Sequence, residues 1–160
     1  METISSTLHN GFADYMALII SFIALAFSVG QFCSERKRNR REATIHAFDK
    51  LEESQSVLYL FKLSKSEIEN LVELKQKNGN QKIDDWDKLT EALVLIEHFS
   101  VGVNSKVYDL KTLNRMAGNK VISTFDKCNA FIRYKRNDYG NEKNYLELEK
   151  MSQHLLRCRK

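Results

Sequence analysis

Proline is absent from this 160-residue chain, and glycine occurs only six times. Proline breaks helix interiors and glycine weakens them. Their scarcity leaves few obligatory turns and favours long helices over many short strands. The alternating apolar–polar pattern of half-buried strands is also missing over any useful length. The three cysteines, Cys33, Cys128 and Cys158, are odd in number and far apart, and none forms a Cys-x-x-Cys pair. That spacing argues against a disulfide framework or a zinc site and fits a reducing compartment. There is no glycine-rich phosphate loop, no His-x-x-x-His or His-Glu-x-x-His, and no Gly-x-Ser-x-Gly. His9, His46, His98 and His154 stand apart in sequence, and Glu97 and His98 point about 100° apart on a helix, so they make no site alone. The sequence therefore predicts no enzyme, no metal and no cofactor.

Charge is informative once divided by region. The chain carries 25 basic and 21 acidic side chains. Residues 1–41 hold Arg36, Lys37, Arg38, Arg40 and Arg41 against Glu2, Asp14 and Glu35, leaving 20 basic and 18 acidic residues for 42–160. A nearly neutral, mixed-charge domain lacks the concentrated basic face of a duplex-binding protein, so nucleic acid is not an expected partner.

One run stands out. Between Asp14 and Glu35 lie 20 uncharged residues, Tyr15 to Ser34. As a helix they would span about 30 Å, the thickness of a bilayer's hydrocarbon core, with every backbone hydrogen bond satisfied internally. A cleaved signal peptide would carry positive charge ahead of the apolar run, whereas here the basic cluster follows it. By the positive-inside rule, residues 1–14 form a short extracytoplasmic segment, 15–34 a single transmembrane helix, 35–41 a basic segment held by anionic lipid, and 42–160 a cytoplasmic domain. Within the span Ala17, Ser21, Ala24 and Ser28, continued by Gln31, form a stripe of small or polar residues. Such a stripe suits close helix–helix approach and self-association.

Residues 42–160 read as a compact bundle of about six helices, making the whole all-α. The first is expected to run from the juxtamembrane segment to about residue 62, with Phe48, Leu51 and Leu58 on one face. Ser64-Lys-Ser-Glu67 reads as a capping box opening a second helix with Ile68, Leu71, Val72 and Leu74, closed at Gly79. Asp84 or Asp85 is expected to cap the clearest helix, whose apolar stripe is Trp86, Leu89, Leu93, Ile96, Ser100 and Val103. Val107 to Ala117 predicts a short helix closed by Gly118. Val121, Phe125, Cys128 and Ile132 mark the next, and Tyr145, Leu148, Met151, Ser152 and Leu155 the last. About 119 residues suffice for an independent core.

The run Leu95-Ile-Glu-His-Phe-Ser-Val-Gly102, with Val107-Tyr-Asp109, Phe131-Ile-Arg-Tyr-Lys-Arg136 and Tyr145-Leu-Glu-Leu148, resembles an uncharacterised bacterial family. Its members are small proteins with one N-terminal membrane helix and a helical domain of unknown function. The resemblance covers roughly Arg41 to Leu156 and includes the anchor arrangement, though the family's frequent closing tryptophan is missing. It implies a bacterial inner membrane and draws attention to Glu97, Asp109 and Arg136, which match the family's polar positions. Glu97 and Arg136 are expected to form a partly buried ion pair joining two helices. Membrane lipids and a protein partner, or a second copy, are the expected partners. The expected role is a membrane-anchored, non-enzymatic interaction or scaffold module. The alternative is an oligomeric membrane effector in a bacterial stress or phage-defence response.

Overall fold

In a computed structural model, residues 2–79, 81–138 and 140–159 are described, with side chains from Tyr15 onward. The side chains of the expected extracytoplasmic segment 1–14 thus lie outside the described residues, as does Tyr139 in the turn after Arg136. Seven α-helices and no strand are found among the described residues: α1 Glu2–Glu52, α2 Gln55–Lys62, α3 Lys65–Asn78, α4 Asp84–Asn104, α5 Leu110–Lys127, α6 Asn129–Asp138 and α7 Leu146–Arg157. The all-α expectation holds. The chain divides into two units, Met1–Asn39 and Arg40–Lys160.

In the first unit α1 carries the apolar run, and every side chain from Tyr15 to Asn39 is exposed, with Phe22 at 71%. The segment from Tyr15 is long and apolar enough to cross a membrane.

The second unit is built around α4, which packs on α2 and α7, while α5 packs on α7 and α6 on α3. All six residues of the predicted α4 stripe are buried, as are Tyr145, Leu148, Met151, Ser152 and Leu155 around α7. Aromatic rings fill two ends of this core. Trp86 lies 4.4 Å from Phe131 and edge-on to Tyr134, while Phe99 meets Phe48 edge-on and stacks on Tyr108 at 5.1 Å. Lys135, only 7% exposed, lays its ammonium over Trp86 and Phe131.

Helix ends decide where the sequence reading succeeds. The capping box forms as expected. Glu67 N donates to Ser64 Oγ at 3.3 Å, and Ser64 N donates to Glu67 Oε2 at 2.7 Å. Gly79, at φ +57°, closes α3. The expected single helix to residue 62 is instead broken at Glu53–Ser54. The break turns the face, so α2 buries Val57 and Leu60 and leaves Leu58 exposed. Ile83, not an aspartate, holds the N-cap of α4, and Asp84, Asp85 and Asp87 act instead on the positive end of its dipole. Gly118 does not end a helix. It lies buried inside α5, with the side-chain ends of Asn114 and Arg159 over the place a Cβ would take. The break falls at Cys128.

Candidate functional site

Glu97, Asp109 and Arg136, the three polar positions that the family resemblance singled out, each serve the start of a helix. Tyr145, the N-cap of α7, is in the left-handed region at φ 58° and offers no capping side chain. Glu97 of α4 supplies the cap from another helix. Glu147 N–H and Leu148 N–H donate to its two carboxylate oxygens at 3.0 and 2.7 Å. Those amides would otherwise be orphans at a helix start, and a carboxylate suits the positive end of the α7 dipole. Asn104, about two helix turns beyond, donates to Glu147 O and Oε2, and Lys150 pairs with Glu147 at 2.6 Å. The Glu147 carboxyl, hydrogen-bonded by Lys150 and Asn104, is held below its ordinary range.

The expected direct Glu97–Arg136 pair is therefore not formed. Arg136 donates to Asn144 O at 2.9 Å and pairs with Glu149 at 2.8 Å. The physical reason is that backbone amides compete for the Glu97 carboxylate: two of them, aligned at a helix start, satisfy both of its oxygens. Glu97 and Arg136 both fasten α7, by separate bonds.

A second polar joint ties α1 to the start of α5. Asp109 caps α5, accepting from Thr112 N at 2.8 Å and Thr112 Oγ1 at 2.7 Å. Its backbone N–H donates to Thr44 Oγ1 at 2.7 Å, and Arg40 Nη2 donates to Tyr108 O at 3.0 Å. Burial works against the Asp109 charge, but the Thr112 bonds and the nearby Arg40 and Arg41 hold its pKa below the ordinary value. Sequence reading located Asp109 but not Thr44, whose side chain is buried in the joint; a lone threonine on a helix gives no signal of such a contact. A third joint was also missed: Lys127 Nζ donates to Leu60 O, Phe61 O and Leu63 O at 2.7, 3.3 and 2.9 Å, closing the C-terminus of α2.

Of the remaining predicted residues, Arg36, Lys37, Arg38 and the stripe Ala17, Ser21, Ala24 and Ser28 lie exposed on the first unit. Ser21 Oγ donates to Ala17 O at 2.8 Å and Ser28 Oγ to Ala24 O at 2.9 Å. Both hydroxyl protons are thus spent within the helix, and the stripe offers a smooth small-residue face with acceptor lone pairs rather than donors. Among the described residues no group of three or more His, Cys, Asp or Glu could hold a metal. The hollows of the second unit are open grooves. One, of about 390 Å³, runs between Tyr59, Leu63, Leu71, Leu74 and Asp85.

Cys128 is fully buried, and burial pushes its thiol up from 9.0 to about 12. The thiol is therefore inert, and it makes stability depend on pH. Because its folded pKa is raised, its contribution is complete below pH 9.0 and is lost as the pH rises toward 12, where only the unfolded chain ionises. Lys127 and Lys135, whose pKa values are lowered by burial, act in the opposite direction just below 10.5. Comparison of wild type with Cys128→Ala isolates the thiol. Between about pH 8 and pH 10 the wild type should lose about 1 kcal/mol more than the variant in urea titrations.

An all-helical domain that follows an apolar helix exposed from Tyr15 to Asn39 defines the class. The chain matches the family described as a domain of unknown function (DUF4760) over residues 15–155, and belongs to that family. No curated protein and no solved structure matches it.

Proposed function

We propose that this protein is a single-pass membrane protein of the bacterial inner membrane, whose C-terminal helical domain is a cytoplasmic, non-enzymatic interaction module. The observation that carries the reading is the uncovered apolar surface of α1 from Tyr15 to Phe32, where phenylalanines, leucines and isoleucines are exposed on every face but the narrow small-residue stripe. Apolar surface costs about 25 cal/mol per Å² in water, and a hydrocarbon layer removes that cost along the whole run. The basic residues Arg36 to Arg41 on one flank support an inward-facing C-terminal unit. A tether of this kind confines the domain to a surface and raises its effective concentration for neighbours. Commitment of Glu97, Asp109 and Arg136 to the starts of α5 and α7 supports a structural role for the residues that the family resemblance singled out.

Two measurements test the proposal. Full-length protein should sediment with membranes after cell breakage, and protease added outside spheroplasts should leave residues 40–160 intact; recovery in the aqueous fraction, or external digestion of that unit, overturns it. Purification in mild detergent with mass measurement of the complex should then yield a stoichiometric protein partner. The small-residue stripe favours a second reading, an oligomeric effector that perturbs the bilayer. On that reading Ser21→Leu with Ala24→Leu should lower self-association several-fold in a membrane two-hybrid assay, and expression of the wild type should depolarise the membrane.

A further inference from the structure

The turn between α4 and α5 is built against its own stability. α4 ends in a Schellman arrangement, with Val107 N donating to Gly102 O at 2.9 Å and Lys106 N to Val103 O at 3.1 Å. The left-handed position, which glycine would fill without strain, is occupied by Lys106 at φ 61°. The usual apolar contact of this motif joins Val107 to a residue three or four places before the C-cap, here Gly102 or Val101, and Val101 is itself 46% exposed. Gly102 has no side chain to offer, and its open face is taken by the Tyr108 ring, which a Cβ would overlap. Val107 is left 57% exposed, more than any other large apolar side chain described in Arg40–Lys160.

The turn is also fixed in place. The bonds from Arg40 to Tyr108 O and from Asp109 N to Thr44 fasten it to the first residues of the second unit. Arg40 follows Ser34, the last residue of the uncharged run, by six positions. At no more than about 3.6 Å per residue, chain length alone keeps Arg40 within about 22 Å of that residue. The turn is therefore tied to a residue within about 22 Å of chain from the end of the uncharged run. The exposed charges beside it are basic, Lys106, Lys111 and Arg41, while Asp109 is engaged as a cap and Arg40 in its bond to Tyr108 O.

We infer that the Lys106–Val107 turn, with Arg41 and Lys111 beside it, is a lipid-contact surface that docks on anionic phospholipid headgroups. The valine enters the interfacial layer and the ammonium groups meet phosphates. This rests on the reading that residues 15–34 cross a bilayer.

The test uses the full chain with Cys33→Ser and Cys158→Ser, Cys128 being buried and unreactive, and a nitroxide on Val107→Cys. The protein is placed in vesicles of phosphatidylcholine alone or with phosphatidylglycerol. In the acidic vesicles, collisions of the label with a water-soluble nickel complex should fall about threefold or more relative to neutral vesicles. A label on Leu74→Cys in α3 should behave alike in both. High salt, or Lys106→Glu with Lys111→Glu, should restore nickel access at position 107. Lys106→Gly adds a readout that a merely structural lysine would not produce: the urea midpoint rises while lipid shielding weakens. Equal nickel access in both vesicle types, with the protein floating alongside them, overturns the inference alone. Failure to float with either vesicle overturns the membrane reading as well.

Discussion

Phe131→Ala should destabilise the second unit by about 3–5 kcal/mol, the range for emptying a buried phenylalanine site. Phe131 is fully buried, its ring 4.4 Å from Trp86 and 6.3 Å from Tyr145, and the Lys135 ammonium lies over it. Two consequences add to the lost apolar burial. Trp86 loses a neighbour it cannot replace by collapse, because Tyr134 already meets it edge-on. Lys135 loses one of the two rings that lie beneath its ammonium. A small domain is stable by about 5–15 kcal/mol in total, so the substitution removes a large part of the margin. Trp86 is the sole tryptophan, which gives a direct optical readout: urea titration of the full chain in mild detergent, followed by Trp86 emission, should show the midpoint falling sharply with its slope retained. A loss below about 1 kcal/mol would show that this region is not the packed core described.

Glu97→Ala should cost about 2–3 kcal/mol, since it strips a charged acceptor from two amides at a half-buried helix start. Glu97→Gln retains one good acceptor and should lose about half as much. Arg136→Ala should cost about 1 kcal/mol, because its ion pair with Glu149 keeps a quarter of each side chain in solvent. The decisive comparison is between two double-mutant cycles. Glu97 with Arg136 should be additive within about 0.5 kcal/mol, whereas Arg136 with Glu149 should show direct coupling. Strong Glu97–Arg136 coupling would restore the interhelical ion pair and remove the cap.

The elements legible in the sequence are those whose signals are local. The α4 stripe repeats over five turns, the Ser64–Glu67 box closes within four residues, and the uncharged run declares itself by length. The failures share a cause. Gly118 is a helix-ending residue by composition, yet α5 runs on past it, with the side-chain ends of Asn114 and Arg159 over its open face. The break at Glu53–Ser54 carries no glycine or proline; it follows from α2 having to turn Val57 and Leu60 onto α4. The family resemblance marked Glu97, Asp109 and Arg136 as special, yet the partners of Glu97 and Arg136 are fixed by tertiary approach. Asp109 has its cap partner three residues away, while Glu97 finds its amides at Glu147 and Leu148, which no window of helical periodicity can connect. The membership in DUF4760, which covers residues 15–155, agrees with the family character read from the diffuse motif.

The cap that α4 lends to α7 also imposes an order of events. During synthesis Glu97 is made well before the amides it will receive, and α7 is too short at twelve residues to persist by itself. The last helix should therefore consolidate only by settling onto an already formed α4. Until then the unit has an open side, its leucines and Met151 still in water. Whatever meets the nascent chain at the ribosome meets that open side first, and completion of the fold and closure of the surface are one step.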